Sequence, residues 1–547
     1  MRLCSIIAIV LLAFIFTTNS MQVTMTTQSS SSLTGYDFLP VIERARIDYE
    51  LVKEIVRNIS SFGPRYTTYP GYEKTANYIK EWFKKYLEPF EGEWTHKYNL
   101  TVLVDYGGSL TLQNGEKLKA YPLMPNEVAP VYVKNLTGPI VYVRSGELHE
   151  MDGKPINGSI VVMDFNSNWR WLTAASLGAK AVIFLEPTRT SRTEALQKRL
   201  ESIPFSFPRF YLRKEEAMKL LKAIRDAEAR GEALIGTLEG RTDWEVREAE
   251  NIMGFLKSPG KYSNDWVVIT SYFDAHSVVP SLSTGASEAV SLAITLALAK
   301  YYSENPPEYS LLFVVFSGHH QGLWGAREWA EKYVFGPDHS PDSIYYRPRS
   351  VGENVSAGIQ IDVIPDTPLV YPLPGLASGF YCVQRGGGLG SGSILPIHNT
   401  YKDVITQTGI DYGLITQGED QGEVLSMALE TQSMRPIYSP MYMRWLDLEI
   451  LAKAGLPELP SLYFATGRSL SIHLSTPIDT YETIEPQMPN VRSQMELVYS
   501  WMHTILHDSF IHELFAGKPR WAVSLSLIHI SEPTRPLYIS YAVFCLK

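Results

Sequence analysis

The residues best placed to do chemistry are His319 and His320, adjacent at the mouth of the apolar run Leu311 to Phe316 in LLFVVFSGHHQGLWGAR. A buried strand there would deliver both imidazoles at its carboxyl end, where ligands and reacting groups collect in open α/β sheets. A neutral imidazole accepts a proton near pH 6.5 or binds a divalent metal. Carboxylates recur at comparable places: Asp274 after WVVITSYF, Glu288 in TGASEAVS and Asp362 in GIQIDVI. His276 and His473 stand in the phrases SYFDAHSVVPS and SIHLSTPIDT. Each also has an ordinary reading. Adjacent histidines suit any polar loop, Asp362 can cap a turn, Glu288 suits the first turn of a helix, and His473 can be a plain loop residue.

From Glu250 onward, strands alternate with helices. The strands are Trp266–Phe273, Leu311–Phe316, Gly358–Ile364 and Leu462–Gly467; the helices are Ala286–Tyr302, Gly322 to about Tyr333, and Met441–Ala454. That alternation implies an α/β fold, a mostly parallel or mixed central sheet with helices on both faces. Upstream, helical spacing gives Tyr49–Ser60 and Glu73–Tyr86, broken by the turn phrase SFGPRYTTYPGYEK. These residues read as packing rather than chemistry. Between Ala129 and Glu239 the pattern changes to short strands and turns, including Gly158–Phe165 and a helix leading to a strand in Ala174–Pro187. Trp169 and Trp171 either rim a binding face there or are buried aromatics. The loop Gly386–Ser393 fits no phosphate-binding template.

The strand–turn–helix with its Gln-Gly-Leu-x-Gly shoulder resembles the co-catalytic zinc aminopeptidases, metallopeptidase family 28. The phrase SFGPRYTTYPGYEK and the helix around Ala76 to Ile79 are similar to that family's N-terminal signature, and the β-rich stretch resembles an inserted protease-associated domain. The resemblance implies two zinc ions sharing a bridging carboxylate, with a further carboxylate as general base. At those positions this chain departs from the family. Tyr272 stands where a zinc-binding histidine is expected, and Asp274 keeps the orienting aspartate. Glu288 falls on the bridging aspartate, His319 on the general base and His320 on a ligating glutamate. Asp362 is retained as a ligand, while Ser475 replaces a histidine, with His473 two residues before it. His276 could serve only in a rebuilt loop. The tyrosine-for-histidine loop is also similar to nicastrin-like, non-catalytic members of the superfamily.

The chain has 547 residues, 45% hydrophobic and 20% charged, enough for two or three domains with sizeable cores. A net charge of −9 argues against nucleic acid as a partner. Arg2 followed by the apolar run Ile6 to Phe16 reads as a signal peptide or signal anchor. Sequons at Asn58, Asn99, Asn135, Asn157 and Asn354 suit an exported or cell-surface glycoprotein. Cys4 lies in the targeting segment and Cys545 in a suspect tail, which leaves Cys382 and no disulfide framework. Leu525 to Arg535 and Ile539 to Lys547 resemble translated sequencing-adapter DNA. The expected layout is therefore 1–32 targeting segment and tether, 42–125 and 241–524 peptidase-like, 126–240 insert, and 525–547 artefact.

Taken together, the expectation is a remodelled site with zinc occupancy reduced or absent. Such a cleft would hold peptide or protein N-termini, with a membrane protein as a further candidate partner. The rival is a divergent zinc aminopeptidase using Glu288, His320, Asp362 and either His473 or His276, with His319 as base.

Overall fold

The computed structural model describes residues 47–200, 203–335, 354–366, 370–374, 461–466 and 472–507, which belong to one compact unit, Glu43–Lys547. The expected helix Met441–Ala454, the loop Gly386–Ser393, Cys382 and the two terminal segments lie outside the described residues. No helix among the described residues is long and apolar enough to cross a membrane.

Two amphipathic helices come first. Asp48 caps α1 (Tyr49–Ser61) by accepting from the Glu50 amide, and Val52, Ile55, Val56 and Ile59 bury one face at helical spacing. Pro70 opens α2 (Pro70–Tyr86), where its missing N–H would have had no helical partner anyway.

After β1 (Thr95–Leu112), β2 (Lys117–Lys119) and β3 (Tyr121–Pro122), the strands β4 (Tyr132–Tyr142), β5 (Ile160–Asp164), β6 (Ala181–Leu185) and β7 (Arg209–Leu212) pair in parallel. Their side chains alternate between two cores. Ile160, Val162 and Ile183 meet Leu220 and Ile224 of α3 (Lys214–Ala229), whereas Val161, Met163 and Phe184 meet Trp171. Trp171 is fully buried, in keeping with the buried-aromatic reading, and Trp169 is 41% exposed.

β8 (Ile235–Leu256) joins this region to the rest, pairing antiparallel with β1 along one edge and with β4 at the start of the other. It runs unbroken through the boundary expected at residues 240 and 241. β9 (Tyr262–Tyr272), α4 (Ala289–Glu304) and β10 (Tyr309–Phe316) then form a parallel crossover unit, and β10 also pairs with the end of β8. All eight residues of β10 are buried. Leu311, Phe313 and Val315 pack under α1, α2 and α4, while Leu312, Val314 and Phe316 face Trp329 of α5 (Trp324–Ala330). Cover on both faces is why this strand reads as a continuous apolar run.

β11 (Val355–Asp362) lies parallel to β9, and β13 (Ser461–Ala465) parallel to β11, with β12 (Tyr371–Pro374) antiparallel at that edge. Val491, Met495 and Val498 of α6 (Met488–His507) complete the core over α1 and α4. The sheet order is β12-β13-β11-β9-β10-β8-β4-β5-β6-β7-β3, with β1 alongside β8. The protein is thus α/β, a mixed sheet with helices on both faces.

Two ends differ from the sequence expectation for local reasons. β11 stops at Asp362 because the next amides are diverted, Val363 to Ser291 Oγ at 2.8 Å and Ile364 to Thr466 Oγ1 at 3.0 Å. α4 starts at Ala289 rather than Ala286 because Gly285 takes a left-handed φ of 62° and Asp479 holds the Ser287 amide at 3.0 Å.

Candidate functional site

Tyr272 ends β9, Asp362 ends β11 and Ser317 follows β10. These are neighbouring parallel strands, so three chain segments deliver side chains to one carboxyl edge. The loops after β9 and before α6 meet there as well, through a bridge between Ser277 and Ser475 and a 3.1 Å bond from the Val278 amide to the Ser475 carbonyl.

The Tyr272 hydroxyl lies between two carboxylates, 3.4 Å from Glu288 Oε1 and 3.4 Å from Asp362 Oδ1. His320 Nε2 is 2.8 Å from the same Glu288 oxygen. The His276 amide reaches Glu288 Oε2 at 3.4 Å, its ring lies 5.4 Å from that of His320, and its Nδ1 is 3.4 Å from Ser475 Oγ. Asp274 accepts from Thr67 Oγ1 at 3.1 Å and from the His319 amide at 3.4 Å. Tyr272, Asp274, His276, Glu288, His319, His320, Asp362 and Ser475 therefore form one cluster. His473 is turned elsewhere: its Nε2 faces Asp366 Oδ1 at 4.0 Å.

Local backbone geometry fixes the histidines. Gly318 and Gly322, both left-handed, bracket a single 3₁₀ turn, His319–Gln321, so the helix starts only at Trp324. Gly325 must lack a side chain, since a Cβ there would sit 2.2 Å from the Ser317 carbonyl oxygen and 2.5 Å from Asn251 Oδ1. Asn251 holds this turn, accepting from the Ser317 amide at 3.0 Å and donating to the Gly325 carbonyl at 2.8 Å. Thr68, Leu323 and Ser475 also adopt φ of 69°, 61° and 66°. Such strain in side-chain-bearing residues costs about 1–3 kcal/mol each and tends to gather at working sites.

The turn phrase read as packing alone contributes to the site directly, which corrects that expectation. Arg65 is fully buried and donates to the carbonyls of Phe273 at 2.8 Å, Thr284 at 2.9 Å and Gly285 at 2.5 Å. It thereby ties the loop after β9 to the turn before α4. Thr67 bonds Asp274 and also Gln321 Oε1 at 2.8 Å. Asp479 anchors the turn from the other side through the Ser287 amide and through Ser287 Oγ at 2.5 Å. In the sequence Arg65 and Asp479 are single charged residues in turn-rich phrases, and their burial appears only in the fold.

Burial dominates the electrostatics. It raises Glu288 to about 7 against the opposing pull of Arg65, and Asp479 to about 8 against its bonds from Ser287. Burial likewise raises Asp274 and holds His276 well below its ordinary value, helped by His320, Arg199 and Arg192. Arg65 is lowered by burial, while Glu288 and Asp479 favour its charge.

The donors do not fit a pair of zinc ions. The Tyr272 phenol bridges Glu288 and Asp362, where a shared ion would need both carboxylates, and Ser475 binds His276. Among the described residues no group of three or more His, Cys, Asp and Glu side chains is arranged to hold a metal. His319, at the expected base position, is stacked on the Tyr272 ring.

No curated protein matches the chain. Among solved structures, similarity extends to an aminopeptidase from Aneurinibacillus sp. strain AM-1 (18% identity, 84% of this chain and 95% of that one, TM-score 0.37). A zinc aminopeptidase from Bacillus subtilis is similar at 16% identity over 85% and 96%, TM-score 0.46. A peptidase M28 precursor from Shewanella amazonensis SB2B is similar at 14% over 85% and 95%, TM-score 0.47. The segment that supplies Tyr272, Asp274, His276, Glu288, His319, His320 and Asp362, residues 251–364, matches the family model described as Peptidase family M28.

Proposed function

We propose that the protein is an exported, aminopeptidase-fold member of this family whose cleft binds peptide or protein N-termini without turning them over. The observation that carries the reading is the Tyr272 hydroxyl, set 3.4 Å from both Glu288 and Asp362. The phenol, with its single proton between one oxygen of each carboxylate, occupies the space where an ion shared by the two would sit. His319 stacks behind that phenol, in place of a carboxylate free to take a proton from water. Support also comes from the sequence likeness of these loops to nicastrin-like, non-catalytic members. In this reading the region around β4 to β7 is a protease-associated insert, the protein works outside the cell or at its surface, and a membrane protein is a candidate partner.

Protein purified without chelator is the material for the test. Zinc should be sub-stoichiometric, and no amino acid should be released from unblocked peptides. Zinc-dependent release of N-terminal residues would overturn the proposal.

A second reading rests on the 2.8 Å approach of His320 Nε2 to Glu288 Oε1, two ligand-competent atoms beside Asp362. Here, once these side chains shift from the arrangement above, one metal ion would be held by Glu288, His320, Asp362 and either His473 or His276, with His319 as base, in a divergent aminopeptidase. His320→Ala would then remove both metal and turnover, and unchanged metal content would dismiss it.

A further inference from the structure

A second polar pair lies outside the Tyr272 cluster. The Asp366 side chain is wholly buried and that of His473 is 11% exposed. Asp366 Oδ2 accepts the Ile472 amide at 2.8 Å and the His473 amide also favours the carboxylate, but Oδ1 and both ring nitrogens of His473 make no hydrogen bond. Nε2 and Oδ1 stand 4.0 Å apart, beyond bonding distance. Buried polar atoms in folded proteins nearly always have partners, so three orphans side by side call for an occupant. The Ile472 carbonyl accepts the Arg192 amide at 2.8 Å, and Ser475, two residues past His473, bonds His276. The pair therefore lies where the segment before β7 meets the cleft loop.

We propose that His473 and Asp366 receive a primary ammonium group, the α-amino end of a bound peptide. This rests on the reading of the cleft as a binder of N-termini and names the atoms that recognise them. An ammonium nitrogen about 2.9 Å from each acceptor fits a 4.0 Å separation. It brings three donors, enough for Oδ1 and Nε2 with one to spare. Its charge complements the buried carboxylate, and charge-assisted bonds to carboxylates are the strong ones. A backbone amide offers a single hydrogen and cannot serve both atoms. Water can bridge them but carries no charge, and the experiment separates the two.

The test is fluorescence anisotropy on the full chain, with an alanine-led tetrapeptide labelled at its carboxyl end, amino end either free or acetylated. The free peptide should bind about tenfold tighter or more. Asp366→Asn and His473→Gln should each shrink that gap severalfold. If wild-type protein binds both peptides equally, only water occupies the pair and the proposal is overturned, while the binding reading of the cleft survives. A gap that persists in folded variants also overturns it. Binding of neither peptide sinks both readings. Should the variants fail to fold, n-butylammonium must still displace the free peptide from the wild-type chain; absence of competition refutes the assignment.

Discussion

The Tyr272 ring lies flat against the His319 imidazole, with centroids 3.8 Å apart and planes 8° from parallel. The β9–β10 register makes this possible, since Tyr272 pairs with Phe316 and the chain then turns at Ser317 and Gly318. The stack holds the ring whose phenol meets Glu288 and Asp362. Tyr272→His removes the phenol and adds an imidazole beside two carboxylates. Bound zinc, measured by elemental analysis after dialysis, should rise toward one or more ions per chain. An unchanged zinc content would show that Tyr272 is not what keeps metal out.

Arg65 has three backbone acceptors and a buried carboxylate, Glu288, for company. Arg65→Met strands those carbonyls and leaves Glu288 without its cation. Loss of one side of such a buried arrangement costs about 3–5 kcal/mol. The urea midpoint should fall accordingly, and a change below about 1 kcal/mol would mean that the loops hold themselves.

Gly325→Ala inserts a methyl group 2.2 Å from the Ser317 carbonyl oxygen. Both neighbours are backbone or tightly bonded side chain, so the His319–Gln321 turn has to move. Overpacking of this kind costs about 1–3 kcal/mol. Differential scanning calorimetry should report a lower Tm, and an unaltered Tm would contradict the close approach described here.

His96 tests acid stability away from the cluster. Burial, with a smaller push from Lys332, lowers it from its ordinary 6.5 to about 4. Between those values the unfolded imidazole takes up a proton and the folded one does not. Its contribution is therefore complete above about pH 6.5 and is lost as pH falls toward 4. In His96→Gln, urea midpoints at pH 7, 5.5 and 4.5 should decline less steeply than in the wild type. Parallel declines would remove His96 as a cause.

Strands buried on both faces were legible because β10 carries the apolar run Leu311 to Phe316 and β11 is largely apolar, and both appear within a few residues of their expected places. The grouping of Tyr272, Glu288, His319, His320 and Asp362 was implied by the resemblance to the zinc aminopeptidases, and the fold brings these residues to one edge. Partners did not. Nothing in SYFDAHS announces that Tyr272 donates across to Asp362, because that depends on the β9–β11 pairing. His473, a candidate ligand from the sequence, instead faces Asp366, and Ser475 beside it takes a left-handed φ of 66°. Arg65 escaped notice because a lone arginine in a turn carries no periodicity, and only the folded loops show that three carbonyls converge on it.

β8 bears on how anything enters the cleft. Its 22 residues are laddered to β1 on one side and to β4 and β10 on the other. A hinge across it would shear several ladders at once, so the two ends of the sheet are mechanically yoked. Rearrangement around Tyr272 therefore falls to side chains and loops rather than to bending of the sheet.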